Sequence, residues 1–290
     1  MKPPRFKYAA PVSVEEAIAL LEEHGDDAKV LAGGQSLIPL MNMRLARPAV
    51  LVDINGISSL QGIERNGALT IRAMTRQAEV ARSGDVAAFA PIVVEALRYV
   101  GHAGVRSRGT FGGSVAHADS AAELPAVLLA LDAEITARGP KGERTIPAEE
   151  FFVSTFTSVL EYNEVLTQVR LPVSSAQSRW SFNEVARRHG DFALVGVATV
   201  ATVDAGGNCT SARIALSGVG DRPIRIHEAE QALVGKPAGD AAAAEEAGRL
   251  TAARLDPPSD FHASATYRRE VAQALVTRAV RELSTQKGDR

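Results

Sequence analysis

Two short stretches combine residue types that suit an anion: Leu31-Ala32-Gly33-Gly34-Gln35-Ser36-Leu37-Ile38-Pro39 and Gly109-Thr110-Phe111-Gly112-Gly113-Ser114. The first passes from an apolar, strand-like segment through a glycine pair into a helical pattern. Adjacent glycines permit positive φ and a close approach to the main chain. Ser36 stands where a helix N-cap belongs, and Pro39 suits a first turn, whose N–H groups lack partners in any case. Unpaired N–H groups beside a glycine bend can hold a phosphate, although the same pattern also serves as plain turn chemistry. The second stretch repeats the theme, a glycine pair followed by a hydroxyl residue, so two loops together could hold a diphosphate without a lysine. Neither fits G-x-G-x-x-G or G-x-x-x-x-G-K-S/T, which argues against a Rossmann or P-loop site.

The elements that must position these stretches are read from periodicity and punctuation. Ser13-Val14-Glu15-Glu16 fits a capping box, Val14, Ala17, Ile18 and Leu21 give the following helix an apolar stripe, and Gly25 closes it. Lys29 to Ala32 reads as the strand delivering the first glycine pair; a short helix through Met41 and Met43 follows, then a strand over Val50 to Ile54. A strand at Leu69 to Ile71 precedes Thr75, expected to cap a helix over Gln77 to Ala81, and Pro91 opens a helix to Val100. Gly101 to Gly109 reads as loop, and a helix over Ala122 to Leu131 follows the second glycine pair. Ala133 to Ala137 and Val165 to Leu171 alternate as strands, separated by a charged turn at Gly139-Pro140-Lys141-Gly142. Pro172 to Ser178 reads as a linker. Beyond it, Trp180 to Val185, Ala193 to Val203 and Ala212 to Leu216 predict a three-stranded antiparallel sheet, with Asp204-Ala205-Gly206-Gly207-Asn208 as a tight turn. Helices over Ile226 to Leu233, Asp240 to Arg254 and Tyr267 to Leu283 follow. The expected fold class is α+β, in two parts.

With 290 residues, 46% of them hydrophobic, the chain can bury cores in two or more domains. A net charge of −2 and an aromatic content of 5% offer neither the basic field nor the stacking platforms of a nucleic-acid binder. The single cysteine, Cys209, can neither hold an iron–sulfur cluster nor close a disulfide, and reads as a buried small side chain in a strand. None of the six histidines stands at a metal-ligand spacing, and no G-x-S-x-G marks a serine hydrolase. The N-terminus lacks a signal-peptide pattern and no apolar run reaches the roughly 20 residues of a membrane span, so a cytoplasmic location is expected.

Ala32-Gly33-Gly34-Gln35-Ser36 with Thr110-Phe111-Gly112-Gly113-Ser114 resembles the paired FAD-diphosphate loops of the medium, flavin-binding subunits of molybdenum hydroxylases. That family includes the carbon monoxide dehydrogenase medium subunit and the FAD segment of xanthine dehydrogenase. The resemblance continues through Ala116-His117-Ala118-Asp119-Ser120-Ala121-Ala122-Glu123-Leu124-Pro125 and Ala186-Arg187-Arg188-His189-Gly190-Asp191-Phe192-Ala193, and it spans essentially the whole chain. It implies an FAD-binding domain of the molybdenum-hydroxylase/vanillyl-alcohol-oxidase type over residues 1–173, in two α/β subdomains, 1–56 and 57–173. A C-terminal flavoprotein domain over 179–290 would follow. The implied function is that of an FAD-binding electron-transfer subunit. Electrons would arrive from 2Fe-2S clusters on a small iron–sulfur partner, substrate being oxidised on a large molybdopterin subunit, and would leave to an external acceptor. A dimer of heterotrimers is the implied assembly. Two other readings stay open: a non-redox module for another diphosphate ligand, and a stand-alone flavin oxidase, which the short length and the lack of an evident flavin-attachment site disfavour.

The resemblance assigns cofactor contacts residue by residue. The amides of Gly33, Gly34, Gln35 and Ser36 would bind one phosphate and those of Gly112, Gly113 and Ser114 the other, with the hydroxyls of Ser36, Thr110 and Ser114 assisting. Ala32, Leu37 and Val100 complete that part of the implied site. Glu123 falls where the family places a carboxylate on the FAD ribityl or ribose hydroxyls; alternatively it is a first-turn acid facing a helix dipole. Asp119 is a further contact by the same helix-terminus argument. His117 touches the flavin or its phosphates, or makes a hydrogen bond within a loop. Val165 and Leu166 match apolar residues packing on the adenine, or are core strand. Phe192 stands where the carbon monoxide dehydrogenase subunits typically carry a tyrosine against the isoalloxazine, which keeps the ring and removes the hydroxyl. Asn183 and Glu184 occupy the region of a lysine that some relatives place near the flavin pyrimidine. Arg187 or Arg188 could replace its charge, or form a solvated face or a subunit contact.

Overall fold

In the computed structural model, which describes residues 2–172 and 177–285, the chain forms three main sheets in sequence order, with helices between them. Most of the expected linker, Pro172 to Ser178, lies outside the described residues. The first unit runs β1 (Lys7–Ala9), α1 (Val14–His24), β2 (Ala28–Leu31), α2 (Leu37–Asn42) and β3 (Val50–Asp53), with a parallel sheet in the order β1-β3-β2. Ser13 caps α1, its hydroxyl accepting from the Glu16 amide at 3.1 Å, while the Glu16 carboxylate reaches Val12 N at 2.9 Å, one residue before the position a capping box requires. Val14, Ala17, Ile18 and Leu21 then seal the sheet. Parallel pairing brings the C-terminal ends of β2 and β3 to one edge, so the first glycine pair and Asp53 to Asn55 leave the sheet side by side. The Asn55 side chain donates to Ala32 O across that edge at 2.8 Å.

The second unit contains β4 (Ile63–Arg65), β5 (Leu69–Arg72), α3 (Gln77–Val80), α4 (Gly84–Phe89), α5 (Pro91–Leu97), α6 (Ala103–Arg108), α7 (Phe111–His117) and α8 (Glu123–Ala130). It continues with β6 (Glu134–Gly139), β7 (Gly142–Pro147), α9 (Ala148–Phe151), the small hairpin of β8 (Phe152–Ser154) and β9 (Thr157–Ser158), and β10 (Val165–Leu171). Its sheet is antiparallel, in the order β4-β5-β10-β6-β7. Three expectations are corrected here. Gly101 to Gly109 is not all loop: α6 forms within it, braced by Arg106, whose guanidinium donates to Val100 O at 2.7 Å and Gly101 O at 2.9 Å. Thr75 caps nothing, because its hydroxyl donates to Gly62 O at 2.9 Å and accepts from Gly62 N at 3.0 Å, and Arg76 takes the cap position of α3. The charged turn at Gly139 to Gly142 leads directly into β7, an edge strand whose exposed polar side chains carry no apolar alternation. Helix α8 is buried on every side, as its nearly all-apolar sequence requires.

The third unit is an antiparallel sheet in the order β11 (Ser178–Ala186), β12 (Ala193–Val203), β13 (Cys209–Ser217) and β14 (Ile224–Arg225), followed by α10 (His227–Leu233), α11 (Ala241–Arg254) and α12 (Ala265–Glu282). It has four strands rather than the expected three; β14 is a two-residue strand too short to show alternation. Asp204 makes the β12–β13 turn by accepting from Gly206 N and Asn208 N, and Cys209 is buried and free, as expected. One face of the sheet buries Phe182, Ala198, Val200 and Ala215 in the core of the second unit, against α5 and α8. The other packs Val195, Val197, Ile214 and Leu216 on α10 to α12. The sheet is therefore a middle layer, and the two halves of the chain share one apolar core.

A charged cluster reinforces that boundary. Arg225 donates to Asp132 at 2.9 Å and pairs with Glu230 at 2.8 Å, Arg213 also pairs with Asp132, and His227 lies 3.0 Å from Glu149 and 3.1 Å from Glu230. Desolvation opposes the Glu230 carboxylate, yet its bonds from Arg225, the Ile214 amide and His227 bring its pKa below the ordinary glutamate value. A depressed carboxyl adds stability above its unfolded pKa and loses it as pH falls through the folded value. Arg225→Met leaves Glu230 buried without its cation and is expected to destabilise the fold by about 3–5 kcal/mol at neutral pH. The deficit should shrink once pH drops below the ordinary glutamate range of about 4.3. Urea unfolding at both pH values measures it; equal deficits would contradict the ion-pair account.

Candidate cofactor site

The two glycine stretches meet backbone to backbone. A Cβ added to Gly33 would lie 2.5 Å from Arg108 O, 2.8 Å from Gly109 Cα and 3.0 Å from Thr110 N, and one added to Gly113 would lie 3.4 Å from Ala32 Cβ. Only a residue without a side chain fits at Gly33. Beside this contact opens a cleft of about 580 Å³, walled by Gly34, Gln35, Asp53, Asn55, Arg76 and Arg108 among others.

Local geometry explains why the first stretch offers donors. Gly34 has φ +72°, a left-handed conformation, and α2 begins with Ile38 N donating to Gly34 O at 3.1 Å. Ser36 does not act as the expected side-chain cap; it is already helical in φ and ψ, and its hydroxyl accepts from no amide of the first turn. Among the described residues, the amides of Gly33, Gly34, Gln35, Ser36 and Leu37 donate to no acceptor within the chain. Unpaired N–H groups around a glycine bend are the kind of donors that can hold an anion.

The second stretch is built differently from the expected loop. Thr110 caps α7, its hydroxyl accepting from Gly113 N at 3.1 Å; Gly112 N donates to Ala73 O at 2.9 Å and Ser114 N to Thr110 O at 3.2 Å. The amides of Gly112, Gly113 and Ser114 therefore already have acceptors. Gly112 serves close packing instead, since a Cβ there would lie 2.6 Å from both Ala73 Cα and Ala73 Cβ. What this stretch brings to the cleft is its leading edge, with Arg108.

Five residues of the cleft were not found by sequence reasoning: Asn42, Asp53, Asn55, Arg76 and Arg108. Arg76 spans the site, donating to Arg108 O at 2.5 Å and to Asn55 Oδ1 at 2.6 Å. Burial and the Arg108 charge lower its pKa, partly opposed by Asp53. Desolvation raises the Asp53 carboxyl, but hydrogen bonds from Tyr8, at 2.6 Å, and from Asn55 bring it below the ordinary aspartate value. Arg108, directly ahead of Gly109, could have been suspected. Arg76 could not, because a lone bridge to Thr110 between distant segments places it.

Of the expected contacts, Ala32, Gly33, Gly34 and Gln35 line the cleft, while Leu37 opens α2 beside it. Glu123 opens α8 and is 7% exposed; burial, with Asp119 adding to it, pushes its carboxyl up to about 7. Burial and Glu123 push Glu184, on β11, up to about 8. Asp119 shapes the turn before α8, accepting from Ala121 N at 2.9 Å. His117 is not a loop residue: it ends α7 and stacks on Phe156 with ring centroids 4.8 Å apart, and burial lowers its pKa against the pull of Asp119. Val100 is half-buried at the Arg106-braced turn, and Val165 and Leu166 are buried in β10. Phe192 is 67% exposed, in a β11–β12 loop that rests on the Gly101–His102 turn at Gly190. Arg187 and Arg188 are exposed, and Arg187 lies 3.3 Å from a ring nitrogen of His262. Among the described residues, no three His, Cys, Asp or Glu side chains are placed to hold a metal, and no helix is long and apolar enough to cross a membrane.

The anion-binding amides, the flanking guanidinium groups and the glycine contact that no Cβ could enter fit a diphosphate-bearing cofactor. Comparison with known proteins gives the same answer. The family described as the FAD binding domain in molybdopterin dehydrogenase matches residues 4–174, and the CO dehydrogenase flavoprotein C-terminal domain matches residues 180–283. The chain is 45% identical over 283 residues to the 6-hydroxypseudooxynicotine dehydrogenase complex subunit alpha of Paenarthrobacter nicotinovorans, covering 97% of this chain and 95% of that one. It is 41% identical over 282 residues to the caffeine dehydrogenase subunit beta of Pseudomonas sp. strain CBB1, again covering 97% and 95%. Its fold superposes on a chain of carbon monoxide dehydrogenase from Hydrogenophaga pseudoflava with a TM-score of 0.94 at 40% identity, over 98% of each chain. The chain thus belongs to the FAD-binding medium subunits of molybdenum hydroxylases, and is an oxidoreductase subunit.

Proposed function

We propose that this chain is the electron-transfer subunit of a cytoplasmic molybdopterin-dependent hydroxylase or dehydrogenase. In this reading it takes electrons from 2Fe-2S clusters of a small partner subunit and passes them to an external acceptor. Substrate is oxidised on a large molybdopterin subunit, and the assembly is a dimer of heterotrimers. FAD supplies the redox chemistry; the protein holds, orients and shields it. The observation that carries the proposal is a run of five unpaired amides, Gly33 to Leu37, beside a cleft that Gly33, Gly34, Gln35, Arg76 and Arg108 line.

The same reading gives each residue a part. The Gly33–Leu37 amides hold diphosphate oxygens, and Arg76 and Arg108 balance their charge. Ala32, Ser36, Val100, Thr110, Gly112, Gly113 and Ser114 shape the surroundings, the last three through packing and capping rather than through free amides. Glu123 accepts from cofactor hydroxyls, Asp119 and His117 border it, Val165 and Leu166 offer apolar surface, and Phe192 covers the ring. This reading divides the chain into domains 1–173 and 179–290, with subdomains 1–56 and 57–173.

The test is an absorption spectrum of the purified full chain after incubation with FAD and desalting, with capture of companion chains from the native host. The expected result is a yellow protein with flavin bands that retains two unlike partners, one of them carrying clusters. A colourless chain that ignores FAD but binds other diphosphates would favour the non-redox module.

A further inference from the structure

The peptide that opens the first glycine stretch is held from outside that stretch. Ala32 O accepts from Asn55 Nδ2 at 2.8 Å, and Asn55 sits on the single helical turn Ile54–Gly56 that follows β3. The Ala32–Gly33 bond is trans, so its N–H points opposite to its C=O. Whatever holds Ala32 O therefore fixes the direction of the Gly33 amide, the first of the five donors that have no acceptor among the described residues. The glycine itself does not fix it. Turning that peptide over changes chiefly ψ of Ala32 and φ of Gly33. Gly33 is not at positive φ, and glycine reaches positive φ about as readily as negative. The next peptide is held from within the stretch, Gln35 Nε2 donating to Gly33 O at 3.2 Å.

Asn55 is in turn set so that only one end of its carboxamide can face Ala32. Asp53 Oδ1 accepts from Asn55 N at 2.9 Å and from Asn55 Nδ2 at 2.6 Å, while the other oxygen of Asp53 accepts from the Tyr8 hydroxyl at 2.6 Å. Asn55 Oδ1 accepts from Arg76 at 2.6 Å. Reversing the carboxamide would set its oxygen against Asp53 Oδ1 and Ala32 O, and its NH2 against a guanidinium, so these partners admit one orientation. The same guanidinium donates to Arg108 O at 2.5 Å, and Arg108 O is the atom nearest the missing Cβ of Gly33. The Ala32–Gly33 peptide is thus enclosed: its carbonyl lies on Asn55, its glycine carbon lies against Arg108 O, and Arg76 joins the two.

We propose that Asn55 is a positioning residue for FAD: its carboxamide locks the Ala32–Gly33 peptide in one orientation before the cofactor arrives, so that the Gly33 amide stands ready for a diphosphate oxygen. The inference rests on the FAD reading above. Both amide hydrogens of Asn55 are taken within the chain, so it acts through the peptide it holds. Without the lock the chain divides between two peptide orientations, and affinity falls with the fraction left competent.

The test combines FAD titration of the cofactor-free full chain with nitrogen relaxation dispersion at the Gly33 amide before FAD is added. Asn55→Leu removes donor and acceptor without adding charge. Asn55→Asp keeps an acceptor for Arg76 and removes the donor to Ala32 O. At high salt, where repulsion by the new carboxylate is screened, both variants are expected to lose FAD affinity by about tenfold, as if one peptide in ten stayed competent. The Gly33 amide should show no microsecond-to-millisecond exchange in wild type and clear exchange in both variants. Were Asn55 only a brace for Arg76, Asn55→Asp would bind FAD like wild type at high salt and its Gly33 amide would stay free of exchange; that result overturns the proposal. Unchanged affinity in both variants overturns it as well. If wild type takes up no FAD, the FAD reading fails separately, and exchange confined to the variants still establishes the lock. Exchange at Gly33 in wild type, or in neither variant, overturns the lock whether or not FAD binds.

Discussion

Gly33→Ala is expected to strip FAD from this protein. The added methyl would stand 2.5 Å from Arg108 O and 2.8 Å from Gly109 Cα. Both are main-chain atoms, so no side-chain rotation relieves the overlap, and the two glycine stretches must move apart. Such overpacking costs about 1–3 kcal/mol of stability. The effect on the cofactor is larger, because the displaced segment carries the five donor amides. Affinity for FAD is expected to fall at least about 100-fold, which corresponds to roughly 2.7 kcal/mol. Flavin content after purification and thermal unfolding read the two effects separately. Gly84→Ala is the matched control: it lies in the first turn of α4, and a Cβ there meets nothing within 4 Å. Equal flavin content in both variants would mean that the contact between the stretches does not build the site.

Arg76→Met is the second large effect. Arg76 joins Arg108 O, at 2.5 Å, to Asn55 Oδ1, at 2.6 Å, and so holds one edge of each α/β subdomain against the other. Its removal takes away a cation that lines the cleft and the link between Arg108 O and Asn55. Charge-assisted bonds of this kind are worth about 1.5–3 kcal/mol each, so FAD affinity should fall by roughly 10- to 100-fold. Its dependence on ionic strength should weaken as well. Arg76→Lys restores the charge but not the planar fork that reaches two acceptors at once, and it should recover only part of the loss. Titrations at low and high salt measure this. A methionine variant that binds like wild type at low salt would exclude Arg76 from the site.

The parts of the fold that were legible in the sequence are those set by local physics. Ser13 before an apolar stripe marked α1, and the Asp204 turn marked the hairpin of β12 and β13. The ends of α10, α11 and α12 fall within two residues of the expected positions. What escaped was decided by contacts between distant residues. Strand β7 is an exposed polar edge that gains its identity only by pairing with β6. Thr75 has the right residue type for a cap, yet Gly62 captures its hydroxyl. The second glycine pair reads as a loop because glycine is a poor helix former. It is helical, capped by Thr110, and glycine is kept in that helix because Ala73 leaves no room for a Cβ at Gly112.

The site divides along the same line. The first glycine pair announced itself, since positive φ and a helix start are local properties. Its partners did not. Arg76 reaches the cleft through a single bridge to Thr110, and Asp53 and Asn55 arrive because β3 runs parallel to β2.

A crystal structure of the FAD-loaded chain tests the central claim most directly. It should show diphosphate oxygens about 3 Å from the amides of Gly33 to Leu37, with Arg76 and Arg108 beside them and the amides of Gly112 and Ser114 still bonded to Ala73 and Thr110. A diphosphate seated elsewhere, with the Gly33–Leu37 amides facing only solvent, would contradict it.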